Sequence, residues 1–200
     1  MNLGSDLIYY VIAILVALVI HEFTHALVGH LLGDTTAQRE GRLSLNPLHH
    51  IDPMMTVVLP IVTIVLFGFP MLAAKPVPFD PDQVDYGEFG AAMIAAAGPL
   101  SNLLLAIVAA LLLHSAAPGS VFAHFLSIFE ILNVALFVFN MIPIPPLDGS
   151  RVLYAFAPEP VQEIMRSIEP YGLFVVFGLV LLGGGSIFSN LIDAVIRLLP

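Results

Sequence analysis

Near the end of the first apolar stretch the chain reads Val19-Ile20-His21-Glu22-Phe23-Thr24-His25. Helical residues advance by about 100° each, so positions four apart share one face, about 6 Å apart along the axis. His21 and His25 can therefore present two imidazoles to one metal ion. Glu22, about 100° further round, reaches a water at that metal without being a ligand. The pattern is HExxH, in which zinc acts as Lewis acid and the glutamate as general base. The competing reading is a group of incidental polar residues buried in a helical bundle, but an ionisable residue inside an apolar helix marks a functional site by default.

A catalytic zinc takes three protein ligands and keeps one position open. The chain has no cysteine, which excludes thiolate sites and leaves histidine and carboxylate as donors. His49 and His50 lie in a polar connection, His114 at the end of an apolar segment and His124 near the start of another, and each is expected to be solvated. Among carboxylates in apolar surroundings, Glu130 and Asp148 remain as candidates for the third ligand. Asp148 is preferred. It follows Pro143, Pro145 and Pro146, which cannot continue a regular helix, and irregular backbone at membrane depth survives only in a protein-lined or wet cavity. Gly149 then permits a tight turn that aims the carboxylate inward. The alternative role for Asp148 is to cap a short helix over residues 150–156.

The elements that must position these groups follow from composition. Of 200 residues, 58% are hydrophobic and 10% charged, and the mean hydropathy is +0.97, far from a soluble domain. A hydrocarbon span takes about 20 apolar residues. The expectation is an all-α polytopic membrane protein, a compact bundle of about 4–6 transmembrane segments forming a single intramembrane domain over residues 1–200. The start of the chain lacks a basic leader region and reads as part of a retained first helix over residues 6–32. Further spans are expected at 91–113 and 121–141, with an apolar segment beginning at 171 and broken by glycines at 183–185 before the amphipathic 189–200. Residues 41–45 alternate like a short strand. A net charge of −9 with a single lysine offers no basic patch and argues against a nucleic-acid partner.

If His21 and Asp148 meet at one metal, the helices that carry and precede them are simplest as parallel neighbours, with the 91–113 span antiparallel to both. Arg39 and Arg42 then mark the cytoplasmic face, and the N-terminus is outside. Residues 54–72 are expected to form a re-entrant hairpin rather than a crossing, because one further crossing would invert the 91–113 helix.

The motifs carry a more specific signal. HEFTH at 21–25 followed by NMIPIPPLDG at 140–149 resembles the site-2 protease family of intramembrane zinc metalloproteases, with signatures HExxH and NxxPxxxLDG. AGPLSN at 97–102 is similar to the family's central GPxxN motif, and GRLSLNPLHHIDP with KPVP resembles its small members without a PDZ domain. The acidic DPDQVDYGEFG departs from the basic residues that relatives tend to carry there. The resemblance implies one Zn2+ held by His21, His25 and Asp148, Glu22 as base, and Asn102 as a polar group near the scissile carbonyl. An oxyanion hydrogen bond is the catalytic role open to Asn102, and bonding across the helix bundle is the structural one. The family resemblance also implies a multi-pass protein of the cell membrane acting on a single-pass regulatory membrane protein, such as an anti-sigma factor. A zinc transporter and a catalytically inactive binder of transmembrane segments are the competing classes.

Overall fold

The computed structural model describes residues 3–50, 78, 80, 83–179, 182 and 185–200 of the chain. Helix α1 spans Leu3–Leu31, a short α2 spans Thr36–Arg39, and a 3-10 turn spans Pro47–His49. Two long helices follow, α3 over Glu88–Ser115 and α4 over Val121–Asn140. The chain continues through α5 at Asp148–Phe156, α6 at Glu159–Ile168, a 3-10 turn at Glu169–Tyr171, α7 at Gly172–Leu179 and α8 at Gly185–Ile196. Among the described residues, three helices are long and apolar enough to cross a membrane: Asp6–Leu31, Glu88–Ser115 and Val121–Asn140. The shortest, at 20 residues, measures about 30 Å at the helical rise, one hydrocarbon thickness.

Side-chain size is distributed as the bilayer requires. Ala13, Ala17, Ala106, Ala109 and Ala110 are buried between helices, whereas Leu7, Val11, Leu104, Val108, Leu111 and Ile131 face outward. Lipid is as apolar as leucine, so large side chains gain nothing by leaving it, and small ones bring backbones into close van der Waals contact. This is an all-α polytopic membrane protein.

Pairwise contacts fix the directions of the three long helices. From one end of α1 to the other, Ala13 packs with Ala109, His21 bonds to Asn102, and His25 bonds to Ile94, so α3 runs antiparallel to α1. Asp6 pairs with His124 at 3.0 Å and Ala13 packs near Phe129, so α4 runs parallel to α1. The parallel arrangement expected from the ligand positions is therefore present. Helix α8 covers α3 and α4 through Phe188, Ile192 and Val195 against Ala106, Val134 and Val138.

The C-terminal end of α1 is tied to the approach to α3. Asp34 is 1% exposed, and its carboxylate accepts from the Thr36 N–H at 2.8 Å and the Asp80 N–H at 2.9 Å, while the Asp85 N–H donates to the Leu32 carbonyl at 2.8 Å. Burial alone would raise the Asp34 pKa, but the bonds from Thr36 and Asp80 outweigh it and hold the carboxyl below its ordinary value. The chain therefore leaves and rejoins the bundle on one face. The re-entrant hairpin expected at 54–72 lies outside the described residues.

The strand expected at 41–45 is absent; these residues form turns and bends. Their polar groups bond locally rather than to a neighbouring strand. The Arg42 N–H donates to the Ala37 carbonyl at 2.8 Å, its guanidinium donates to the His49 carbonyl at 2.5 Å, and His49 Nδ1–H donates to the Gly41 carbonyl at 2.6 Å. His50, expected to be solvated, is buried, with Nε2–H donating to the Ser44 carbonyl at 2.6 Å.

Two outcomes follow. The native chain has no cysteine, so single cysteines in place of exposed Gln38 and Tyr86 should both be shielded from an impermeant maleimide in intact cells, whereas one in place of Ala117 should label; opposite behaviour of Gln38 and Tyr86 would break the shared-face arrangement. Asp34→Asn should lower stability in detergent by about 1–3 kcal/mol at neutral pH. Because the folded pKa is the lower one, the Asp34 contribution is present above the ordinary carboxylate pKa and lost as pH falls through the folded value. Thermal unfolding of the two proteins should therefore converge in acid.

Candidate metal centre

Helix α1 contributes His21 and His25, which are 5% and 7% exposed. Asp148 opens α5, and its carboxylate approaches from across the bundle: Oδ2 lies 3.3 Å from His21 Nε2 and 3.4 Å from His25 Nε2. The two Nε2 atoms are 3.0 Å apart, and the three donor atoms of His21, His25 and Asp148 all lie within 4.8 Å of one another. Asp148 makes no capping bond to α5, whose N-cap is Leu147, so its carboxylate serves the histidines rather than the helix.

The protons on the two rings decide what this arrangement can hold. His25 Nδ1 lies 2.7 Å from the Ile94 carbonyl, which only accepts, so Nδ1 carries the proton. His21 Nδ1 lies 2.6 Å from Asn102 Oδ1. The Asn102 amide is oriented by its nitrogen, which donates to Asn133 Oδ1 at 3.0 Å and to the Ala17 carbonyl at 3.4 Å. Both neutral rings therefore turn an Nε2 lone pair toward Asp148 Oδ2. Three acceptors without a donor among them repel unless a cation sits between them, and two imidazoles plus one carboxylate are a zinc donor set. The donor set fits zinc.

Several small residues make this approach possible. A Cβ on Gly98 would lie 2.3 Å from His25 Nε2 and 2.7 Å from His21 Cε1, so α3 can pass the histidine pair only with glycine there. A Cβ on Gly149 would lie 2.3 Å from the Met141 carbonyl oxygen, so the turn that delivers Asp148 also requires glycine. Pro99, inside α3, lacks the N–H that would bond back to Ala95.

The candidate residues thus divide into two groups. His21, His25, Glu22 and Asp148 come together, with Glu22 7% exposed and within electrostatic reach of the other three. Asn102 is also at the site, fully buried, but its carbonyl holds His21 and both amide protons are taken by Ala17 and Asn133. In this arrangement the Asn102 side chain orients the His21 ring, and both of its amide protons are already engaged. Glu130, the alternative ligand, stands outside the cluster. Asn133 is a member that sequence reasoning missed; it is 0% exposed, and its nitrogen donates to the Phe129 carbonyl at 2.8 Å. An amide within an apolar helix was the available signal.

Loss of these supports should be read in metal affinity. Asn102→Ala should weaken zinc binding roughly 10–100-fold in chelator competition, while Asn102→Asp, which keeps an acceptor for His21, should recover much of it. Gly98→Ala should lower affinity at least as far. Unchanged affinity in both Asn102→Ala and Gly98→Ala would remove the support network from zinc binding.

Comparison with known proteins agrees with this donor chemistry. The model of Peptidase family M50 matches residues 112–183. YwhC of Bacillus subtilis (strain 168), named as a candidate zinc metalloprotease, is 37% identical over 178 residues, which is 84% of this chain and 78% of the relative. Rip2 of Mycolicibacterium smegmatis, named likewise, is 30% identical over 166 residues, covering 81% of this chain and 62% of its own length. MJ0611 of Methanocaldococcus jannaschii, also named so, is 40% identical over 89 residues, 44% of this chain and 45% of the relative. No solved structure matches. With most of its length aligned to YwhC and an HExxH helix facing an LDG aspartate, the chain belongs to peptidase family M50, the site-2 protease family.

Proposed function

We propose that this protein is a zinc endopeptidase of the cell membrane that hydrolyses a peptide bond in or near the transmembrane segment of a membrane-anchored regulatory protein. The observation that carries the reading is the meeting of His21, His25 and Asp148 beside Glu22 within a bundle of membrane-length helices. His21, His25 and Asp148 would hold the zinc, which supplies a Lewis acid for the scissile carbonyl and makes water nucleophilic near neutral pH.

The chain's own residues account for the rest. The Glu22 carboxylate takes a proton from the attacking water as oxygen bonds to the carbonyl carbon, then gives it to the amide nitrogen as the C–N bond breaks. Asn102 and the Ile94 carbonyl keep both imidazoles in the required tautomer and prevent them from rotating. The segment between α4 and α5 contains Pro143, Pro145 and Pro146, of which Pro143 and Pro146 are exposed. Its lack of helical pairing beside Asp148 supports its use as a platform for an unwound substrate, which pairs by its own backbone. A single-pass regulator, such as an anti-sigma factor, is the substrate class this reading implies.

Glu22→Gln should retain zinc and lose turnover by roughly 10²–10⁴-fold, because the amide preserves size but accepts no proton. The measurement is cleavage of a fluorogenic apolar peptide in proteoliposomes, alongside zinc content and zinc uptake. Zinc uptake without cleavage in the wild-type protein would identify a transporter, and zinc binding with neither would identify a binder.

A further inference from the structure

The turn that delivers Asp148 is braced from two sides. On one side Gly149 lies against the Met141 and Ile142 carbonyls. On the other stands the corner between α6 and α7, formed by the 3-10 turn Glu169–Tyr171 and Gly172. Helix α6 runs back along α5: the Gln162 amide donates to the Tyr154 carbonyl at 3.0 Å, Arg166 donates to the Tyr154 hydroxyl at 3.0 Å, and Arg151 pairs with Glu169 at 2.8 Å. The corner then reaches the proline segment. Gly172 is buried, and a Cβ there would overlap the Pro145 carbonyl oxygen, lie 2.6 Å from the Pro145 carbonyl carbon and 2.8 Å from Pro146 Cδ. These are backbone and ring atoms, which cannot swing aside as the end of a flexible side chain would.

The conformation of Gly172 does not itself demand glycine. Its φ of −55° and ψ of −40° are those of an ordinary helix, in which alanine is the better former. What glycine supplies here is proximity. The corner touches the chain three residues before Asp148, at Pro145, and three residues after it, at Arg151. A cavity of about 190 Å³, lined in part by Pro145, Ser150, Arg151 and Glu169, opens beside these contacts, so packing there is discontinuous and the two contacts carry the restraint. We propose that Gly172 and Glu169 are positioning residues of the metal centre: seated on Pro145 and paired with Arg151, they fix the reach of the Asp148 carboxylate toward His21 and His25. The inference rests on the zinc reading above and adds the 169–172 corner to the site. An exposed ion pair holds weakly, so Gly172 carries the larger share.

Two glycines of α7 separate position from helix propensity, because a Cβ on Gly178 meets nothing within 4 Å among the described residues. In the intact chain in detergent, Gly172→Ala should bind Zn2+ roughly 10–100-fold more weakly in chelator competition, the scale of a lost ligand support. Gly178→Ala should bind as the wild type does. With Co2+ in place of Zn2+, the visible absorption of Gly172→Ala should shift and weaken as the carboxylate leaves the tetrahedral donor set, a signature that a change in helix stability alone does not produce. Glu169→Arg, an exposed change that repels Arg151, should move affinity and spectrum in the same direction by a smaller amount. Wild-type affinity and cobalt spectrum in Gly172→Ala, or an equal loss in Gly178→Ala, would overturn the inference. If Gly172→Ala does not fold, wild-type affinity and spectrum in Glu169→Arg would overturn it in the same way. Metal binding by the wild type that Asp148→Ala leaves unchanged would instead overturn the zinc reading itself.

Discussion

The structure depends on the disposal of two imidazole protons. His21 and His25 converge their lone pairs on Asp148 only because Asn102 and the Ile94 carbonyl take the Nδ1 protons on the far side. Both acceptors belong to α3, so that helix must lie against α1 at backbone distance. Gly98 meets that demand at the histidines, and Ala13 and Ala109 maintain it further along. The fold's small-residue seam and its metal chemistry are therefore one constraint. A bulkier seam would leave the rings free to rotate or tautomerise, whatever their spacing in sequence.

Polar groups within the bundle form a chain of obligations. Asn102 supports His21 with its oxygen, and its nitrogen is then satisfied by Asn133 and Ala17; Asn133 in turn donates to the Phe129 carbonyl. Each link removes a cost that hydrocarbon surroundings would impose on an unpaired amide. The network joins α1, α3 and α4 at the depth of the ligands, so the orientation of one ring is set jointly by three helices.

Much of this was legible in the sequence because it is local. The spacing of His21 and His25 needs only the helical period, and the placement of Asp148 needs only the inability of Pro143, Pro145 and Pro146 to continue α4. Parallel packing of α1 and α4 followed from requiring those residues to meet. What escaped depends on partners distant in sequence. The alternation over residues 41–45 has the strand period, yet the Arg42 guanidinium finds the His49 carbonyl and curls the loop. His50 looks like any polar loop residue until the fold closes around it. The role of Asn102 required knowing which acceptors its amide would meet.

The position of His21 and His25 along α1 sets the depth at which the proposed cleavage would fall. Between His25 and Leu31, the end of the span, lie about 9 Å of helix, and from His21 about 15 Å, out of about 39 Å for its 26 residues. The candidate metal centre therefore lies nearer the Asp34 end of α1 than its N-terminal end. Under the proposed function, a membrane-crossing substrate opened at that depth would be left as two unequal stubs, each short of the roughly 20 apolar residues that a span requires, and the shorter one, on the Asp34 side, would be the more weakly held by lipid. Directional release would then be a matter of helix register.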